Sequence, residues 1–211
     1  MAWSAAEVGA QSVLLEKGQH GYMVAGGYTY SSHVHGILLN AGFSYHGEID
    51  LSLGFSRVEA GGLAPVANAI GVGARVFALK QTSEMPISLV LSASYAHASY
   101  SSAYLNRRGR EVTGTVVAYG LGISRSLPSA SSVKIVPAIV VTRAKAKANT
   151  RSGFGGPLRT EEEAVTIFTL EVIFGFRDGK RGIIFLNPAV SSDGEIITLN
   201  LSAGVIGRIG Q

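Results

Sequence analysis

The sequence predicts an all-β chain, a transmembrane antiparallel up-and-down β-barrel of about ten strands, and three observations carry that prediction. Apolar residues alternate with small or polar ones at period two through most of the 211 residues, which is the spacing of strands. Mean hydropathy is +0.28 with only 15% charged residues, yet no run approaches the roughly 20 apolar residues of a membrane helix. Bulky side chains share one face of each run and Gly, Ala and Ser the other, the reverse of a soluble barrel, which coats its outside with charge.

The hairpin over 86–127 shows the pattern most clearly. Its first run sets Ile87, Leu89, Leu91 and Tyr95 on one face and Ser88, Ser92, Ser94 and Ala96 on the other. Its second run sets Val117, Tyr119, Leu121 and Ile123 opposite Gly114, Ala118, Gly120 and Gly122. Similar runs over 22–30, 34–45, 48–58, 66–79, 133–145, 164–176, 182–190 and 195–209 complete the set. Each is close to the ~9–11 residues that a tilted strand needs to cross. No linker divides residues 19–211, which read as one barrel, whereas 1–18 lack clean alternation and stand as a tail, a short plug or an extra strand.

Asp178-Gly179 and Asp193-Gly194 are tight-turn dipeptides, because Gly accepts the positive φ that such turns require. With the N-terminus on the inner side, 45–47, 80–86, 127–131 and 177–181 become inner turns, and the two longest connections, 101–110 and 147–162, face outward. Pro137 and Pro188 each remove a ladder donor, so a bulge is expected near Pro137.

Cysteine is absent, which excludes disulfides and thiolate metal sites. His33 and His35 lack a third ligand, so no metal is expected, and no motif implies a cofactor. The first residues, Met1 to Glu7, have neither a cationic start nor an apolar core, so the sequence reads as a mature chain with an added initiator Met. The basic run Asn106-Arg107-Arg108-Gly109-Arg110 has no aromatic stacking platform, which argues against nucleic acid.

Gly42-Phe43-Ser44-Tyr45 and Leu51-Ser52-Leu53-Gly54-Phe55-Ser56 resemble the strands of small outer-membrane β-barrels of Gram-negative bacteria. The resemblance implies residence in the bacterial outer membrane, with its lipid and lipopolysaccharide as partners. Oligomeric state is left open.

Three groups of side chains could carry function. Inward parity collects Glu48, Asp50, Arg75, Lys134, Glu171 and Arg208, either as an ion-paired filling or as the lining of a narrow conduit for small solutes. Arg143, Lys145 and Lys147 continue the outward parity of Ile139 and Val141 into the headgroup zone, with Arg107, Arg108 and Arg110 in a neighbouring loop, as either a lipid-phosphate site or an ordinary charged rim. Finally, His97, Ser99 and Glu111 share a face on consecutive strands, with the residue types of base, nucleophile and orienting carboxylate. Their spacing resembles that of outer-membrane lipid A deacylases, which implies acyl-ester hydrolysis, although Tyr100 stands where those enzymes carry Asn. The expected role is non-catalytic, binding through basic external loops or passing solutes; lipid A ester hydrolysis is the alternative.

Overall fold

The computed structural model describes residues 13–60, 66–101, 105, 110–127, 132–152, 159–178 and 182–209. Its strands are β1 (His20–Ser31), β2 (Val34–Tyr45), β3 (Ile49–Ala60), β4 (Val66–Leu79), β5 (Ser88–Ser101), β6 (Arg110–Ser124), β7 (Val133–Ser152), β8 (Arg159–Asp178), β9 (Gly182–Ser192) and β10 (Ile197–Ile209). Each pairs antiparallel with its sequence neighbours, and β1 pairs with β10 from His20 opposite Ile209 to Ser31 opposite Thr198, which closes the sheet.

From Tyr30 the ladder partners lead one way round to Val66 and the other way to Leu79. That offset of about a dozen residues is the stagger that tilts strands roughly 40° in a closed barrel. The outer edge therefore climbs around the barrel and steps down at one place. β7 accompanies β8 out to Arg159, whereas β9 meets β8 only from Phe168 inward.

Alternation decides which way each side chain points. Leu51, Leu53, Ile70, Val72, Leu91, Leu121, Leu170, Leu199 and Leu201 are exposed, Leu170 by 60%, and form an aliphatic outer band. Inward positions are small or polar, as at Ser52, Gly54, Gly71, Ser94, Ala118 and Ala144. Such a surface is stable only where the surrounding medium is itself apolar. The largest buried cluster lies at the inner end, where Leu14 and Leu15 pack with Met23, Val136, Ile173, Ile183, Phe185 and Ile206.

Two local expectations need correction. The ladder runs unbroken through Pro137, which faces Val172, and the register shift falls instead between Phe77 and Leu79. The Pro137 carbonyl accepts from Arg125 N at 3.1 Å, so its donorless nitrogen faces the β6 side, where regular pairing has just ended and little is lost. The external connection expected over 147–162 is mostly strand, because Ala144, Ala146 and Ala148 keep the inward alternation going beyond the aliphatic band. The inner turn expected over 45–47 is the β2–β3 turn, made by His46 (φ 54) and Gly47 (φ 62), a primed pair in which a histidine takes the left-handed position. Its ring stacks edgewise on Tyr45 and His20 at 4.3 and 4.6 Å.

A Cβ on Gly47 would lie 2.5 Å from the Glu16 carbonyl oxygen, whereas one on Gly194 (φ 98) would meet nothing. Gly47→Ala is expected to cost more than the ~1–2 kcal/mol of left-handed backbone strain alone, and Gly194→Ala no more than that. Urea unfolding of the two variants in detergent checks the order.

Candidate functional site

Arg143, Lys145 and Lys147 point outward from β7 directly above Ile139 and Val141, so the upper margin of the aliphatic band turns basic within one step of the alternation. Their cross-strand neighbours on β6 are Tyr119, Val117 and Thr115. On β8, Thr166 accepts a hydrogen bond from Arg143 Nη1 at 2.7 Å, Ala164 faces Lys145, and Glu162 pairs with Lys147 at 3.2 Å. Lys147 thus meets a carboxylate and Arg143 a hydroxyl. The guanidinium of Arg143 keeps further donors for an outer acceptor, and the Lys145 stem can lie on Val117 with its ammonium turned to the headgroups.

Of the three loop arginines that the sequence sets beside this ridge, one is described. Arg107 and Arg108 lie outside the described residues, and Arg110 stands opposite Ser152. Val117 faces Lys145, so Arg110 is seven positions away along β6, roughly 23 Å at the usual strand rise.

His97 and Ser99 are both outward and exposed on β5, as parity requires. Thr115 stands opposite His97 and Thr113 opposite Ser99. Glu111 therefore lies four positions beyond the partner of His97, roughly 13 Å along the strand, and no hydrogen bond joins the three among the described residues. The register shares their face but withholds the contact that an acyl-transfer site needs. Identical parity is a weaker condition than proximity.

Of the six charges, Asp50, Arg75, Lys134, Glu171 and Arg208 stand at inward positions of their strands, and Glu48 lies in the β2–β3 turn at the inner mouth; their partners vary. Asp50 faces Arg75 across the β3–β4 ladder. Glu171 is buried and accepts from Asn187 Nδ2 at 2.9 Å, and Glu48 pairs with Lys17 at 3.1 Å. Lys134 donates to the Val13 carbonyl at 2.8 Å. Nε and Nη2 of Arg208 are buried with no hydrogen-bond partner among the described residues. Sequence reasoning missed the cations that meet the N-terminal segment: Lys80 donates to the carbonyls of Leu15 and Gly47, and Arg177 pairs with Glu16 at 2.7 Å. The apolar pair Leu14-Leu15, followed at once by Glu16-Lys17, was the available signal.

Among solved structures the barrel is similar to the translocator domain of the autotransporter NalP from Neisseria meningitidis, with a TM-score of 0.62 at 13% identity over 95% of this chain and 92% of that one. It is likewise similar to the beta domain of the Bordetella autotransporter BrkA, with a TM-score of 0.58 at 13% identity over 91% and 99%. The fold is that of the outer-membrane β-barrels. No family model matches the sequence, and no curated protein does. In this outer-membrane barrel the aliphatic band is the lipid-facing surface, and the basic ridge of β7 sits at its outer margin.

Burial, and after it the Lys134 charge, push Lys80 down from 10.5 to about 8, while Asp50, Glu48 and Glu16 pull it upward. Its ammonium is therefore disfavoured in the folded barrel. That penalty is full below pH 8 and fades as the pH rises toward 10.5, where the unfolded chain also loses the proton. Stability should rise across this window in urea unfolding, and Lys80→Met, which cannot titrate, should flatten the rise.

Proposed function

We propose that this outer-membrane barrel binds the phosphate groups of lipopolysaccharide through Arg143, Lys145 and Lys147, with no covalent chemistry. One observation carries the reading: these three cations alternate on the lipid-facing side of β7 immediately beyond Ile139 and Val141, where acyl chains give way to phosphates. A guanidinium can hold a phosphate through two parallel hydrogen bonds, and charge-assisted bonds of this kind are about twice as strong as neutral ones. Tyr119 beside Arg143 is 53% exposed and supplies the amphipathic ring that favours the same boundary.

The alternative readings find less support. Leu14 and Leu15 fill the inner mouth, which works against free passage of solutes. Acyl hydrolysis would require Glu111 to approach His97 across a register that keeps them apart.

Replacing Arg143, Lys145 and Lys147 together by Gln should weaken retention of purified lipopolysaccharide about ten-fold, and less so at high salt, where the wild-type contacts are themselves screened. The check is lipid phosphate that remains with the detergent-purified barrel over a salt series. Equal retention by wild type and variant at low salt would overturn the reading, and replacing Arg57, Lys17 and Arg159 by Gln controls for net charge.

A further inference from the structure

The step in the outer edge leaves one strand open along its side. β7 accompanies β8 from Arg159 inward without a register shift, and among the described residues no strand meets the other side of β8 until Ser192 faces Phe168. That side is open over Arg159 to Ile167, nine residues or roughly 30 Å of strand. On the far side of the hairpin the corresponding overhang is short, because β6 runs only two residues past Val112, which faces Tyr100 of β5. In an antiparallel ladder alternate residues turn N–H and C=O to opposite sides, so about half of the stretch aims its main-chain groups away from β7. Such an edge is a template for a further strand. Neither a proline nor a bulge interrupts it.

We infer that this edge docks an extended, lysine- or arginine-bearing segment of another protein, which adds to β8 as one more strand. The side chains along the edge specify that occupant. Glu161, Glu162 and Glu163 are exposed on the open stretch, and Asp193 and Glu195 stand in the turn at its foot, whereas the stretch itself carries Arg159 as its one cation. Arg143, Lys145 and Lys147 belong to β7, roughly 10 Å from an added strand and thus about a screening length away. Below the carboxylates Val165 and Ile167 point inward, partly buried against Val116, Ala118 and Ala144. A strand that sets apolar side chains beside these two and basic ones beside Glu161 and Glu163 gains burial and charge pairing on one face. A second copy is a poor occupant. Both barrels would stand in the same membrane, so their β8 strands would bring Glu161, Glu162 and Glu163 level with one another, and like charges side by side destabilise a pair. The site is separate from the lipid-phosphate ridge, since it uses main-chain groups and carboxylates of β8.

The probe is a fluorescent peptide, as long as the open stretch, that alternates lysine with valine and is added to the full-length barrel in lipid nanodiscs. It should bind at least about ten-fold more tightly than a peptide that alternates glutamate with valine, and than the lysine-valine peptide with its main-chain nitrogens methylated, which keeps the charge and loses the donors. Glu161→Gln combined with Glu163→Gln should weaken its binding about ten-fold. Position is read by cross-linking, because the chain has no native cysteine. A lysine-valine peptide that carries one cysteine should form a mixed disulfide with Ala164→Cys on the edge and not with Thr115→Cys, two strands away on β6 at a similar height. No binding by the lysine-valine peptide, or equal binding by its methylated form, would overturn the inference. Cross-linking at Thr115→Cys as fast as at Ala164→Cys would do the same, and so would a barrel dimer joined through Ala164→Cys without peptide, which would give the edge to a second copy.

Discussion

A backbone in hydrocarbon has no water to satisfy its N–H and C=O groups, and every other feature of this protein depends on how that constraint is met. Closure of β1 on β10 leaves no spanning edge. Closure in turn demands stagger, and stagger obliges the outer edge to spiral. The step at β8 and β9 is the geometric consequence, and it lifts the long β7–β8 hairpin beyond the lipid. There the outward side chains face water and phosphate, which is why the outward row along β7 changes from Ile139 and Val141 to Arg143, Lys145 and Lys147 without any change in period.

Inside the barrel the same economy applies to charge. Buried ions are tolerated when hydrogen bonds or opposite charges replace their water. Glu171 has Asn187, Asp50 faces Arg75, and Lys80 and Lys134 use main-chain carbonyls of the N-terminal segment. The lysines thus tie the entry of the chain to the wall, and Gly47 is there because the Glu16 carbonyl leaves no room for a side chain. Inner mouth and N-terminal segment form one packed unit with Phe185, Ile173 and Ile183.

Period-two patterning by itself determined the fold class, the strand order, the lipid-facing parity of nearly every strand and the inward placement of Asp50, Arg75, Lys134, Glu171 and Arg208, because a strand's side-chain direction is a local property of the backbone. Strand ends beyond the bilayer were not legible in β7 and β8, since the contrast between greasy and small faces that marks a strand in lipid fades once the outer face meets water. Nor was the left-handed turn at His46, which rests on its ring contacts with His20 and Tyr45. Only the tertiary structure decided proximity. It set Thr115, not Glu111, opposite His97, moved Arg110 away from the β7 ridge, and brought Lys80, Lys134 and Arg177 onto residues 13–16. Register and closure are relations between strands distant in sequence, and no pattern within one strand encodes how far its neighbour is displaced along it.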